Sequence, residues 1–510
     1  MVVIMPENPA AVEFIKLTKY FGGMAANHNI SFSIRRGEIL SLLGENGSGK
    51  TTLMNMLAGI YFPDGGEIYV GGKKVSIKSP KDAFELGIGM IHQHFKLIDV
   101  FTAAENVALG AEGRLNLRQT KAKIEEICEK YGFELDPDQK VYDMSVSQKQ
   151  TLEIIKLLYR RVEVLILDEP TAVLTPQETK SLFGVIRNMR DDGKSIIIIT
   201  HKLKEVLEVS ERVAILRKGE YIDTIETSRA NELMLTEMMV GKKVTLNISR
   251  PVPENTAKLI EVRSLSVMGA NSFKALDDIS FDMYGGEVLG IAGISGSGQR
   301  ELLEAIAGLN KTQPGSEINF YPGGETDKVK SLIGKSPKEI RELGITLSFV
   351  PEDRLGMGLV GSMGMPENMM LKTYNDNGGV FLNHKDPEKY AKQIKDTLNV
   401  ATPSINTPVK TLSGGNIQKV LVGREISSAP SVLLTAYAVR GLDINTSYMI
   451  YDLINEQKKK GVAVAFVGED LDVLLAISDR ILVLCGGKSS GVVDARKATK
   501  EEIGLMMSAR

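Results

Sequence analysis

The chain is written twice, and this limits its architecture before any single motif is considered. NISFSIRRGEILSLLGENGSGKTTLMNMLAGI (29–60) returns as DISFDMYGGEVLGIAGISGSGQRELLEAIAGL (278–309), so Gly37 recurs as Gly286 and Gly44 as Gly293, 249 positions on. Further along the spacing is 268: Ser145 answers to Ser413, Glu169 to Tyr437, His201 to Glu469, and Met238-Met239 to Met506-Met507. One repeated unit, with a net insertion of 19 residues in the second copy, accounts for nearly all of the 510 residues. That length exceeds a single core and divides into two domains of ordinary size. The expected boundaries are 10–242 and 257–510. The stretch between them, 243–256, contains SRPVPENT, has little periodicity, and reads as a linker.

Each copy begins with an alternating segment (Ser31–Ile34, Ser280–Met283) that predicts antiparallel strands. A strand (Ile39–Leu43, Val288–Ala292), a glycine-rich turn and a helix with Leu53, Met56 and Leu57 at helical spacing come next. Lys96 to Arg161 reads as mostly helical, followed by a buried strand at Val164–Leu167, a helix near Gln177–Arg190 and a strand at Ser195–Thr200. Strands alternating with helices imply an α/β fold with a mostly parallel sheet.

Composition narrows the function classes. A 43% hydrophobic and 25% charged chain is ordinary for a soluble globular protein, and a net charge of −2 gives no footing for nucleic acid. Cys128 and Cys485 lie far apart and outside any metal-binding spacing, which predicts free thiols and no zinc. No apolar run approaches the roughly 18–20 residues that span a bilayer. The start, MVVIMPENPA, lacks the basic region of a signal peptide. We therefore expect a cytoplasmic chain, held at a membrane only through another subunit.

The chemistry concentrates in the first copy. GENGSGKT fits GxxxxGK[ST] between a strand and a helix, the context this phosphate-binding pattern requires. Backbone N–H groups of Gly44, Glu45, Asn46, Gly47, Ser48 and Gly49 would close around phosphate oxygens, with Thr52 beside them at the helix start. Lys50 would reach the β- and γ-phosphates and the Thr51 hydroxyl would ligate Mg²⁺. VLILDEPT is a buried strand ending in adjacent carboxylates, Asp168 for the Mg²⁺ shell and Glu169 as general base. His201 ends the next strand, where ligands gather in parallel sheets, and could contact the γ-phosphate and the attacking water. Gln93, in GMIHQHF, is a further Mg²⁺ or water contact. In the second copy Gln299, Ala436, Tyr437 and Glu469 stand where Lys50, Asp168, Glu169 and His201 stand in the first.

The second copy also contains TLSGGNIQK, Thr411 to Lys419. Together with GENGSGKT and VLILDEPT, it resembles the signature of ATP-binding-cassette ATPases, over essentially residues 12–510. The resemblance implies two tandem nucleotide-binding domains, each a P-loop core on a mixed sheet with an antiparallel β subdomain and a helical subdomain. It also implies that ATP is sandwiched between one P-loop and the other cassette's signature. Site one would then pair Lys50, Thr51, Gln93, Asp168, Glu169 and His201 with Ser413, Gly414, Gly415 and Asn416, and with Asp443 of RGLD. Site two would pair SGSGQRE (295–301) with MSVSQKQ (144–150). There Gln299 replaces the lysine, Arg300 the hydroxyl and Ala436 the aspartate. Tyr437 replaces the base, Glu469 the histidine, Val146 and Ser147 the glycines, and Thr175 the aspartate. Every loss falls on site two, so one site is competent and one is not. Phe21, or its neighbour Tyr20, resembles the aromatic residue that stacks on adenine.

VPEDR (350–354), SGGNIQK and AVRGLD in a tandem chain look like the ATPases of bacterial importers for ribose, galactose and related ligands. IHQHFKLIDVFTAAENVALG and DEPTAVLTPQE are closer to the nucleoside-uptake branch. Ser147 and TAYAVRGLD depart from that branch's usual pattern, and sugar or riboflavin-like ligands stay open. The resemblance implies two integral-membrane permease partners docking near the Gln93 and Glu352 loops, an extracytoplasmic binding protein reached only indirectly, and a peripheral position on the cytoplasmic membrane face. The rival class is a soluble tandem cassette acting on ribosomes or DNA. Such proteins are expected to keep two competent sites and commonly carry a long charged linker or zinc-binding cysteines.

Overall fold

The computed structural model describes residues 10–92, 95–109, 116–172, 174–241, 248–254, 256–269, 273–294, 296–342, 347–351, 353–374, 382–427, 430–440, 442, 444–468 and 470–508. The chain divides into two compact units, 1–245 and 246–510. Each contains a four-stranded antiparallel sheet, a six-stranded mixed sheet and packed helices.

In the first unit the antiparallel sheet runs Met24–Ile34, Val12–Phe21, Gly65–Val70, Lys73–Val75. The mixed sheet runs Glu220–Glu226, Arg212–Arg217, Ile39–Leu43, Ser195–Ile199, Val164–Asp168, Ile88–Ile91, parallel throughout except for its first pair. Its central strands are continuous apolar runs because both faces are covered. Side chains alternate between those faces. Ile39, Leu165, Leu167, Ile196 and Ile198 pack with the helices, including Val146–Tyr159 and Pro176–Asp191. Leu40, Leu42, Val164, Ile166, Ile197 and Ile199 pack with the antiparallel sheet and the helix Lys50–Leu57.

The second unit repeats this order. Its antiparallel sheet runs Lys274–Tyr284, Lys258–Met268, Glu317–Phe320, Lys330–Ser331. Its mixed sheet runs Leu347–Val350, Val432–Ala436, Ala463–Val467, Val288–Gly293, Arg480–Cys485, Lys488–Asp494. The expected α/β class, with a parallel-sheet core, antiparallel sheet and helical part in each copy, is what the chain forms. The stretch expected to be mostly helical carries Ala103–Ala108, Leu117–Tyr131 and Val146–Tyr159. Thr102 and Ser145 start two of these with reciprocal capping boxes, and Gly132 ends one in the left-handed conformation.

Within 243–256, residues 249–251 are fastened to the second unit. The Arg250 guanidinium donates to the carbonyls of Leu475 and Ser478 at 2.9 and 2.8 Å, and Lys458 Nζ donates to the Pro251 carbonyl at 2.6 Å. Among the described residues no helix is long and apolar enough to cross a membrane. Cys128 and Cys485 are free thiols.

Candidate functional site

Three parallel strands of the first unit, Ile39–Leu43, Val164–Asp168 and Ser195–Ile199, end side by side, and their loops carry the residues singled out above. The loop 44–49 owes its path to its glycines. Gly47 and Gly49 have φ of 81° and 97°, a region L side chains avoid. A Cβ on Gly49 would lie 2.4 Å from the Ala26 carbonyl oxygen, and one on Gly44 would lie 2.4 Å from that of Leu216. Asn27 on the adjacent hairpin donates from Nδ2 to the Gly49 carbonyl at 3.2 Å. Lys50 is buried, its ammonium donating to the carbonyls of Gly44 at 2.6 Å and Glu45 at 3.0 Å. Burial pulls that ammonium below its usual pKa, against the attraction of Glu169, Asp168 and Glu45. Among the described residues the buried Ser48 hydroxyl has no hydrogen-bond partner, an orphan that a phosphate oxygen would satisfy.

The strand Val164–Asp168 delivers its last carboxylate beside this loop, and the chain then turns. Glu169 has φ of 47°, its N–H donates to the Ile199 carbonyl at 2.8 Å, and its carbonyl accepts from Ala172 N–H at 3.2 Å. This left-handed residue breaks the strand alternation and lets Asp168 and Glu169 share one neighbourhood. Burial and the neighbouring Glu169 push the Asp168 carboxyl up to about 6, against Lys50 and a hydrogen bond from Thr51. Burial also pushes Glu169 up, but His201, Lys50 and Lys202 together outweigh it and the carboxyl lies below its usual range. His201 Nδ1 lies 2.9 Å from Glu169 Oε1, with the imidazole half exposed.

The sign of the Asp168 shift gives a stability prediction. A carboxyl with its folded pKa raised above the unfolded value stabilises the fold at low pH, and that contribution is lost as pH rises through about 6. Nucleotide-free Asp168→Asn is therefore expected to melt above the parent at pH 8, the gap narrowing toward pH 5. Differential scanning fluorimetry at the two pH values checks this.

In the second unit the backbone of the same site persists while its groups change. Gly296 and Gly298 have φ of 86° and 99°, and Tyr437, at 53°, repeats the strained conformation of Glu169. Tyr437 N–H donates to the Val467 carbonyl at 3.0 Å, as Glu169 does to Ile199. Gln299 is buried and donates from Nε2 to the Ile294 carbonyl at 3.1 Å. Ile294 is the counterpart of Glu45, so a neutral amide takes one of the carbonyls that the Lys50 ammonium holds. Arg300 folds along its helix to Glu304 at 2.6 Å. Ala436 offers no ligand atom, and the Arg440 guanidinium lies 5.8 Å from the Tyr437 ring centre. Ser295 and Glu469 lie outside the described residues.

The two signature stretches differ as well. In the first, Ser145 caps the helix Val146–Tyr159 and is bridged by Gln148, while Thr175 caps Pro176–Asp191. In the second, Ser413 precedes the helix Gly414–Ser427 and its hydroxyl accepts from Asn416 Nδ2 at 2.8 Å; Asn416 Oδ1 accepts from Ala401 N–H at 2.9 Å. Arg354 of VPEDR donates to the Gly414 carbonyl at 3.1 Å and also to that of Arg440. Gln93, Glu352 and Asp443 lie outside the described residues. Phe21 is an exposed ring set edge-on to Tyr61 at 5.2 Å with the Lys19 ammonium 5.6 Å from its centre. Glu45, Asn46 and Gly47 lie on the loop, and Thr51 and Thr52 in the first turn of Lys50–Leu57.

The motifs did not reveal Asn27, which lies outside all of them. Its counterpart in the second copy is Leu276, whose side chain sits where a Cβ on Gly298 would fall. An Asn-to-Leu difference between the copies was the available signal.

The model of the family described as ABC transporter matches residues 27–172 and 276–435. The nucleoside import ATP-binding protein NupA of Lactococcus lactis subsp. cremoris is 38% identical over 98% of this chain and 98% of its own length. The guanosine import ATP-binding protein NupO of Bacillus subtilis is 39% identical over 98% and 97%. The glucose import ATP-binding protein TsgD13 of Haloferax volcanii is 38% identical over 96% and 94%.

Proposed function

We propose that this chain, which belongs to the ABC transporter family, completes one hydrolytic ATP site from its two copies, leaves the other inert, and energises an importer of nucleosides. It is an ATPase subunit, and the new element is the division of labour. One observation carries it: the first unit gathers Lys50, Thr51, Asp168, Glu169 and His201 beyond the ends of three neighbouring strands, whereas the second unit has Gln299, Arg300, Ala436 and Tyr437 at the corresponding described positions.

In this reading the γ-phosphate enters the loop 44–49 and Lys50 exchanges the Gly44 and Glu45 carbonyls for phosphate oxygens. Mg²⁺, held by the Thr51 hydroxyl, the Asp168 carboxylate and Gln93, would offset phosphate charge; one protein carboxylate plus phosphate oxygens suits its habit of binding with few protein ligands. Glu169 takes the proton of the attacking water. His201 orients that carboxylate and contacts the γ-phosphate. Ser413, Gly414, Gly415 and Asn416 bring a helix N-terminus from the second copy, with Asp443 beside it. Phe21 stacks on the adenine, worth roughly 1–3 kcal/mol by analogy with base stacking in nucleic-acid systems. ATP binding closes the sandwich and hydrolysis reopens it, biasing the permeases between their two access states.

Docking of two permeases near the Gln93 and Glu352 loops, on the cytoplasmic membrane face, is supported by exposed apolar side chains there. Ile98, Val100 and Tyr142 are exposed, and Tyr142 N–H donates to the Asp99 carbonyl at 3.1 Å. In the second unit Leu355 and Met357, just past Glu352 in sequence, are exposed. A polytopic protein is expected to co-purify from detergent-solubilised membranes; persistent ribosome association without one would favour the soluble class instead.

Nucleosides are supported by IHQHFKLIDVFTAAENVALG and by the names of two relatives. A sugar is the second reading, because the glucose-import relative is as similar. Cells lacking this chain are expected to lose uptake of labelled guanosine and keep that of ribose and glucose. The opposite pattern would transfer the assignment to sugars.

A further inference from the structure

The last residue of VLILDEPT, Thr171, belongs to a polar triangle joining the turn after Glu169 to the turn after His201. Lys202 Nζ donates to the Thr171 carbonyl at 3.0 Å and to its hydroxyl oxygen at 3.3 Å. The Thr171 hydroxyl donates to Glu205 Oε2 at 2.5 Å, and Lys202 Nζ pairs with Glu205 Oε1 at 3.1 Å. Thr171 is buried, and Lys202 and Glu205 are half-buried, so these contacts are shielded from water. The triangle therefore spans two loops whose functional side chains, Glu169 and His201, meet through a 2.9 Å contact.

The second copy shows what this joint needs for folding alone. The counterparts of Thr171, Lys202 and Glu205 are Val439, Asp470 and Val473. Val439 and Val473 pack against the apolar core of that unit, and Asp470 accepts from Asp472 N–H at 2.8 Å to cap the helix Leu471–Ile477. The backbone is nevertheless the same: Tyr437 keeps the left-handed φ, and Arg440 N–H donates to the Tyr437 carbonyl at 3.0 Å as Ala172 does to Glu169 at 3.2 Å. The Thr171–Glu205 pair thus gives way to packed valines and Lys202 to a helix-capping Asp470 while the turn after Tyr437 keeps its backbone, as expected when both partners of a buried polar contact are replaced by packed apolar groups. The polar version survives only beside the carboxylate and imidazole that the second copy lacks.

We propose that Lys202, Thr171 and Glu205 form a positioning clamp for ATP hydrolysis, holding the Glu169 and His201 turns in the register that the attacking water requires. The proposal rests on Glu169 being the general base. It assigns no contact with nucleotide to these three residues; they act through the turns they tie together, and Lys202 also through its charge beside Glu169.

The test grafts the second copy's joint onto the first, as the triple variant Thr171→Val, Lys202→Asp, Glu205→Val in the full-length chain assembled with its membrane partners. Steady-state hydrolysis of Mg-ATP is expected to show kcat reduced by about 10–100-fold, the scale of a small misplacement at a reacting centre. KM for ATP and the melting temperature should stay near those of the parent. Lys202→Arg, which keeps the charge and the donors, should retain most of the turnover. Unchanged kcat in the triple variant overturns the clamp, and so does a fall in melting temperature that accounts for the lost activity. Glu169→Gln, assayed in parallel, separates the two ideas. If Glu169→Gln still turns over, the base assignment fails; if it is inactive and the triple variant is not, the clamp alone fails.

Discussion

Replacing Glu169 by Gln is expected to lower steady-state ATP hydrolysis by about 10²–10⁴-fold, the range for loss of a positioned general base, with ATP affinity almost unchanged. The substitution is nearly isosteric, so the left-handed turn and its N–H bond to Ile199 should persist. An amide oxygen can still meet His201, but it cannot accept the proton of the attacking water. Turnover together with a nucleotide-binding titration checks the result, and turnover within about fivefold of the parent would remove Glu169 from the base role. The counterpart Tyr437→Ala is expected to leave hydrolysis unaltered. A collapse there would show that the second copy's turn takes part in the chemistry.

The environments of the two adjacent carboxylates distinguish their roles. Burial and the neighbouring Glu169 bring the Asp168 carboxyl up to about 6, whereas burial of Glu169 is outweighed by its hydrogen bond with His201 and by Lys50 and Lys202, which hold it below its usual range. Paired titratable groups pushed apart in this way commonly divide a reaction between them. Thr51 is among the groups that draw the Asp168 carboxyl down, matching a hydroxyl–carboxylate pair around a cation, and His201 hydrogen-bonds Glu169, matching an oriented base. Loss at Asp168 should therefore appear in the Mg²⁺ dependence of hydrolysis, and loss at Glu169 in the maximal rate.

The repeat, the two α/β units and the strands leading into the site were legible because they depend on period and spacing. Ile39–Leu43 and Val164–Asp168 are buried on both faces, and a continuous apolar run announces that directly. What was not legible depends on side-chain direction. Nothing in SGSGQRE says that Gln299 turns back to Ile294 rather than outward. Nothing in DEPT says that Glu169 is left-handed, and a non-glycine in that conformation is held by surrounding structure rather than by local preference. Thr171 closes DEPT, but nothing in that motif ties it to Lys202 and Glu205, more than 30 positions on, and the three meet because neighbouring strands end together. Alignment favours Phe21 over Tyr20 for the stacking role, and both rings are exposed on the same strand. The copies themselves held the missing signal, because Asn27, Thr171, Lys202 and Glu205 all change where the loop and its chemistry change.

Lys50→Gln places the second copy's residue in the first copy's loop and is expected to weaken ATP binding by about 10–100-fold. Hydrogen bonds to charged groups contribute roughly 1.5–3 kcal/mol, and each 1.4 kcal/mol is about tenfold in affinity. The loop itself should survive. Gln299 shows that a neutral amide can reach the carbonyl five positions back and still leave glycines at φ of 86° and 99°. The change removes a cation that attracts Asp168 and Glu169, so the Asp168 carboxyl should titrate still higher and the site should lose charge at neutral pH. Equilibrium titration with a fluorescent ATP analogue measures the loss; affinity within about threefold of the parent would mean that the backbone cradle, not the ammonium, carries binding. The reverse change, Gln299→Lys, should not create a second hydrolytic site. Ala436 still offers no carboxylate, Arg300 no hydroxyl and Tyr437 no base. A lysine restored among those neighbours gains a phosphate contact and nothing with which to cleave it.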